Sequence, residues 1–224
     1  MKFLLTSAGI SNGSIHNALT DLLGKPVAEA RALCIPTGIY PHVEGPSGAY
    51  EFLTGSASSP LCGLGWKSLG VLELTALPTV KPEHWVPAVQ ETDALLVWGG
   101  SAFYLCYWMR QSGLADLLPS LSGDTVYVGV SAGSMVATAD FGETYDGVNP
   151  PVGSDKALGL VDFSLAPHLD HEQFPGNSMA NLERWAAAIR VPAYGIDDQS
   201  AIKVAGGTVE VVSEGRWILF PPRT

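Results

Sequence analysis

Val126-Tyr127-Val128-Gly129-Val130-Ser131-Ala132-Gly133-Ser134-Met135-Val136 is the stretch whose reading decides the fold. A β-branched, apolar run enters Gly129, and small residues follow Ser131, so the spacing predicts a strand, a sharp turn and a helix start. In a G-x-S-x-G elbow the glycines let the backbone bend tightly, and the serine hydroxyl projects into an open cleft. The chain holds 25 glycines, so the same pattern can also arise as a plain turn. Its position between a strand signal and a helix signal favours the elbow, with Ser131 as candidate nucleophile.

Working outward, apolar runs at residues 2–7, 31–36, 70–74 and 94–98 predict strands before the elbow strand at 126–130. Helical patterns at 14–23, 82–90 and 102–111 alternate with them, with Ser14 as the candidate cap of the first. Residues 37–66 are rich in Gly, Ser and Pro; part must be helical if the sheet stays parallel, but periodicity does not place that helix. After the elbow, residues 140–156 read as a polar loop and 163–167 as a short strand delivering His168. Leu182, Trp185, Ala186 and Ile189 recur at helical spacing. Runs at 193–196, 201–204, 208–212 and 217–220 read as strands, with Gly206-Gly207 and Glu214-Gly215 as hairpin turns. The alternation predicts an α/β fold: a doubly wound, largely parallel sheet with flanking helices and C-terminal hairpin elements, in a single domain over residues 1–224.

A net charge of −10 argues against nucleic acid or an anionic membrane surface as partner. Cys34, Cys62 and Cys106 lack CxxC spacing and are odd in number, which predicts buried reduced thiols and neither a disulfide framework nor a zinc site. The first residues carry too short an apolar run for a signal peptide, and no run approaches membrane-span length. A soluble, cytoplasmic protein with no cofactor and no metal is the expectation.

A serine needs a base, and the base needs an orienting group. His16 and His84 fall on helical patterns and His42 on an ill-defined loop, which assigns all three structural roles. His168 follows an apolar run at a strand end, where ligand-facing groups are delivered, and His171 is its competitor. A His-x-x-His metal pair lacks a third soft ligand. Asp146 and Glu143 lie between serine and histidine in chain order, so either can hold the imidazole. The Ala132 and Gly100 backbone N–H groups are the candidate oxyanion donors, with Gly99, Ser101, His171 and Arg184 as candidate substrate contacts.

Three further stretches carry a resemblance. Val97-Trp98-Gly99-Gly100-Ser101, Gly129-Val130-Ser131-Ala132-Gly133-Ser134, and Leu158-Gly159-Leu160-Val161-Asp162-Phe163 followed by Ala166-Pro167-His168 resemble the peptidase E (aspartyl dipeptidase) family of serine peptidases, relatives of the cyanophycinases. Asp197-Asp198-Gln199-Ser200-Ala201 also fits. The resemblance implies a fold similar to class I glutamine amidotransferase domains, with Ser131 as nucleophile, His168 as base, and the third residue in the loop after the elbow, where Asp146 matches best. It also implies hydrolysis of a short peptide through an acyl-enzyme, after an N-terminal acidic residue, by a homodimer.

One departure stands out. In aspartyl dipeptidases the loop after the histidine supplies an arginine for the substrate's aspartate. Here residues 169–177 hold Asp170, His171 and Glu172 and no Arg or Lys. An anionic substrate group is expected to meet like charge there unless Arg184, Arg110 or a protonated His171 compensates. Two alternatives share the elbow: an α/β-hydrolase esterase, disfavoured because no histidine follows the last strands, and a non-catalytic amidotransferase-like binding module.

Overall fold

The computed structural model describes residues 1–42, 45–57, 61–142 and 157–222. Its main sheet is built from β1 (Lys2–Thr6), β2 (Arg31–Ile35), β3 (Ser68–Val71), β4 (Ala94–Val97), β5 (Val126–Val130), β8 (Ser200–Ala205) and β9 (Thr208–Ser213). Among the described residues the strand order is β3-β2-β4-β5-β1-β8-β9. The first five run parallel, and β8 and β9 antiparallel, as the alternation of strand and helix signals predicts.

Both faces of this sheet are covered, which follows from the strands themselves. Ala94 and Leu96 of β4 pack into one core with Leu4, Val126 and Val128, while Leu95 and Val97 pack into a second with Phe3, Leu5 and Tyr127. Successive side chains of a strand point to opposite faces, so a run that is apolar at every position fits only a sheet buried on both sides. All four residues of β4 are fully buried.

The helices are α1 (Gly13–Leu23), α2 (Gly45–Thr54), α3 (Val86–Gln90), α4 (Ala102–Gln111), α5 (Leu114–Leu117), α6 (Ala132–Met135) and α7 (Met179–Ala188). The cap of α1 is Asn12, whose Oδ1 accepts from the Ile15 N–H at 3.0 Å. Ser14 lies two residues further in and donates its hydroxyl to Glu214 at 2.7 Å instead. The helix that periodicity could not place in residues 37–66 is α2.

A second sheet of β6 (Ser164–Ala166), β7 (Ala193–Ile196) and β10 (Trp217–Phe220) has the order β10-β7-β6. This corrects one expectation. Gly206-Gly207 does turn β8 into β9, but Glu214-Gly215 does not close a hairpin, because β10 leaves β9 and pairs with β7. Asp197 explains the change: its carboxylate accepts from the Arg216 and Gln199 N–H groups and the Ser200 hydroxyl, tying the β7–β8 turn to the entry of β10.

The elbow is held from below. A Cβ on Gly133 would lie 2.1 Å from the Val97 carbonyl oxygen, so β4 and α6 can approach only because this position has no side chain. Tyr127, fully buried, donates its phenol to the Gly133 carbonyl at 2.7 Å, and burial raises its pKa well above the ordinary value, so it stays a donor. Gly133→Ala is therefore expected to lose about 2 kcal/mol or more in denaturant unfolding, because a backbone oxygen cannot give way as a flexible side chain can. Wild-type stability in that variant would contradict the tight β4–α6 contact.

Candidate active site

Three main-sheet strands and the second sheet end at one place. β5 is central, with β4 and β1 on either side, and ligands in such sheets bind beyond the carboxyl ends of the strands. Ser131 follows β5, Gly99-Gly100 follows β4 and Ser7 follows β1. Because β8 runs antiparallel to β1, the turn that starts β8 arrives at the same edge, where the Ser7 N–H donates to the Ser200 carbonyl. β6 delivers His168 beside that turn, and the Leu169 N–H donates to the Ile196 carbonyl at 3.0 Å.

Ser131 has φ 51° and ψ −116°, a conformation that costs a non-glycine residue about 1–3 kcal/mol. Its N–H donates to the Thr6 carbonyl at 3.0 Å, and the Ser134 hydroxyl donates to the same oxygen at 2.7 Å. The strained turn is thus pinned to β1, and the hydroxyl lies 2.8 Å from His168 Nε2.

On its other side, His168 Nδ1 lies 2.6 Å from Asp198 Oδ1. This geometry sets the tautomer: Nδ1–H donates to the carboxylate, leaving the Nε2 lone pair facing Ser131. Burial opposes the charge on Asp198, but hydrogen bonds from His168 and Ser7, with the charges of His168 and His171, outweigh it and hold the carboxyl below the usual aspartate range. A depressed folded-state pKa stabilises the fold above the unfolded value, so this contribution is whole at neutral pH. It is lost as pH falls through and below the ordinary aspartate range.

Asp146 and Glu143, expected to orient the imidazole, lie outside the described residues. The carboxylate on Nδ1 is that of Asp198, which chain-order reasoning passed over because it comes after the histidine. The missed signal is topological: the turn after β7 reaches the site only because β8 pairs with β1.

The cleft in front of Ser131 has a volume of about 700 Å³. Gly100, Ala132, Phe103, Met135, Phe141, Trp185 and Arg184 are among its lining residues, with Gln173 to Asn177 from the loop after His168. Among the described residues neither the Gly100 nor the Ala132 N–H has a backbone partner, so both are available to an anion. Gly100 has φ 116°, and a Cβ there would lie 2.2 Å from the Gly38 carbonyl oxygen, which makes glycine obligatory. Gly99 packs against the serine itself, where an added Cβ would lie 3.1 Å from Ser131 Cβ.

Ser101 and His171, two expected substrate contacts, sit outside the cleft lining. Ser101 is fully buried; its hydroxyl caps α4 by accepting from the Tyr104 N–H, and its own N–H donates to the Gly38 carbonyl. His171 does not line the cleft; its Nε2 lies 3.5 Å from Asp198 Oδ2, behind the imidazole. Conversely, His42 does line the cleft, and its Nε2 is buried with no partner among the described residues. Phe174 covers His168, stacked at 4.2 Å with an interplanar angle of 14°.

The feared acidity of the loop does not reach the cleft. Asp170 pairs with Arg216 at 3.2 Å and accepts from the Met179 N–H, and Glu172 is exposed away from the lining. No Asp or Glu is among the described lining residues. Arg184 of α7 lines the cleft from an exposed position, donates to Asn181 Oδ1, and has no carboxylate partner among the described residues. Arg110 instead points to the Ala157 carbonyl and Cys106.

Residues 3–212 match peptidase family S51. The chain belongs to that family. Curated relatives include peptidase E of Shewanella sp. strain ANA-3, 30% identical over 141 residues, and peptidase E of Shewanella oneidensis, 32% identical over 142. Each alignment spans 59% of this chain and 59% of the relative. Among solved structures, a protein from Listeria monocytogenes EGD-e superposes with a TM-score of 0.69 at 22% identity, covering 96% of this chain and 98% of that one. A peptidase from an acI-B1 actinobacterium superposes with a TM-score of 0.66 at 17% identity, covering 99% and 94%. These two likenesses bear on the S51 fold alone.

Proposed function

We propose that this S51 protein is a serine peptidase that hydrolyses short peptides through an acyl-enzyme formed on Ser131. The observation that carries this reading is the continuous hydrogen-bonded line from Ser131 Oγ through both nitrogens of His168 to Asp198, opening on the cleft.

The chemistry follows from the donors and acceptors in that line. His168 Nε2 takes the Ser131 proton as Oγ attacks the scissile carbonyl carbon, and Asp198 stabilises the imidazolium that forms. The carbonyl oxygen becomes an anion, which the Gly100 and Ala132 N–H groups receive; each such donor lowers the barrier by about 3–4 kcal/mol in comparable sites. As the C–N bond breaks, His168 returns the proton to the leaving amine. Water then attacks the ester by the same relay, releasing the acid and restoring Ser131.

For the substrate, a short peptide carrying an acidic first residue fits the cleft, with Arg184 pairing with its side-chain carboxylate. The absence of acidic lining among the described residues, with the Arg184 guanidinium on the wall lacking a carboxylate partner among them, supports this choice. Arg184→Gln is expected to raise KM for an aspartyl dipeptide about tenfold or more while kcat holds, since a charge-assisted hydrogen bond contributes about 1.5–3 kcal/mol and 1.4 kcal/mol is a factor of ten. An unchanged KM would remove Arg184 from substrate recognition. The proposed setting is a cytoplasmic homodimer that needs no cofactor; light scattering tests the dimer. A dipeptide library assayed with wild type and Ser131→Ala tests the activity as a whole.

A further inference from the structure

We infer that Ser7 is a positioning residue of the same site, a fourth member that sets the orientation of His168 and of the Asp198 carboxylate. The inference rests on the proposed role of the Ser131–His168–Asp198 line and adds a residue to it. Ser7 is fully buried at the carboxyl end of β1. Its hydroxyl donates to Asp198 Oδ1 at 2.6 Å and accepts from the His168 backbone N–H at 2.8 Å. One small side chain therefore ties the base to its carboxylate through contacts separate from the imidazole–carboxylate bond.

Each contact answers a particular need. His168 has φ 59°, a left-handed conformation that a side-chain-bearing residue keeps only when its surroundings hold it there. The Ser7 oxygen anchors the N–H of this residue. Asp198 Oδ1 already accepts from His168 Nδ1, and the Ser7 proton on the same oxygen fixes the carboxylate rotamer. The Ser7 bond also contributes to lowering the Asp198 pKa, sharing its negative charge with a neutral donor.

The charged and titratable groups around the imidazole give the effect a sign. Asp198 faces Nδ1, His171 faces the far oxygen of Asp198, and Asp170, next along the loop, is paired with Arg216. Among the described residues, removing the Ser7 hydroxyl leaves Asp198 Oδ1 to His168 alone. The less neutralised carboxylate then attracts the imidazolium more strongly, which moves the acid limb of the pH–rate profile upward. Asp198→Asn has the opposite sign, because it removes the charge that favours the imidazolium. A residue that merely fills space moves neither.

The test compares Ser7→Ala and Ser7→Thr with wild type. Ser7→Ala fits the space of the serine, and is expected to lower kcat about 10- to 100-fold with KM within about threefold, and to shift the acid limb of the pH–rate profile upward. Ser7→Thr, which keeps the hydroxyl, recovers most of kcat and the wild-type limb. Wild-type kcat in Ser7→Ala overturns the inference, as does a loss of kcat with an unmoved limb, or a folded Ser7→Thr no better than Ser7→Ala. NMR titration of His168 in the resting protein reads the same shift without turnover. A wild type that neither hydrolyses peptides nor reacts with fluorophosphonate while Ser7→Ala still moves that titration sinks the peptidase reading and leaves the role of Ser7 standing.

Discussion

Ser131→Ala is expected to lower kcat/KM for peptide hydrolysis by about 10⁴- to 10⁶-fold, the range in which loss of a serine nucleophile leaves only binding and oxyanion stabilisation. Stability should barely change. Among the described residues the hydroxyl makes one side-chain hydrogen bond, to His168, and it faces the cleft, so alanine removes no core packing. The backbone strain at φ 51° is shared by both residues, because it arises from the Cβ that alanine keeps. Peptide hydrolysis curves and thermal unfolding on the same preparation check both halves. Activity retained in a folded Ser131→Ala protein would place the chemistry elsewhere, and a collapse in thermal stability would make Ser131 a structural residue.

The second large effect is at Asp198. Asp198→Asn is expected to lower kcat by about 10³- to 10⁴-fold, because an amide cannot stabilise the imidazolium and can turn its NH₂ toward Nδ1, favouring the unproductive tautomer. The predicted ranking distinguishes this carboxylate from those of the loop after the elbow. Asp146→Ala and Glu143→Ala should each retain far more activity than Asp198→Asn. A reversed ranking in purified, folded variants would assign the orienting role to the loop. Acid titration gives a second check: wild-type stability should decline below the ordinary aspartate range more steeply than that of Asp198→Asn, which has no carboxylate left to protonate.

These expectations show where sequence alone was sufficient. The elbow was legible because its demands are local: a β-branched run, two glycines where backbones touch, and small residues opening α6. β4 and the glycine pair after it were legible for the same reason, since an apolar run at every position belongs to a strand buried on both faces. His168 was singled out by its place after a short apolar run, and it faces Ser131.

What escaped depends on pairings between distant segments. Asp198 reaches His168 because β8 lies antiparallel beside β1 and Asp197 ties the preceding turn to β10, and neither pairing leaves a local trace. Ser101 sits in a motif that fits both a substrate loop and a helix cap, and its hydroxyl accepts from the Tyr104 N–H to cap α4. The hairpin expected at Glu214-Gly215 failed for a related reason, since turn chemistry permits a reversal without choosing which strand the next one joins. Acidity along the loop after His168 also misled as a one-dimensional property. Asp170 turns to Arg216, and the cleft receives Gln173 to Asn177 instead.

The proposed chemistry stands on Ser131 as a nucleophile activated by His168 and Asp198. Fluorophosphonate labelling followed by mass spectrometry of the digested protein tests it without knowledge of the natural peptide. One adduct is expected, on the peptide containing Ser131, absent in Ser131→Ala and formed far more slowly in His168→Ala and Asp198→Asn. A folded protein that takes no label, or takes it on another residue, removes Ser131 from the nucleophile's role.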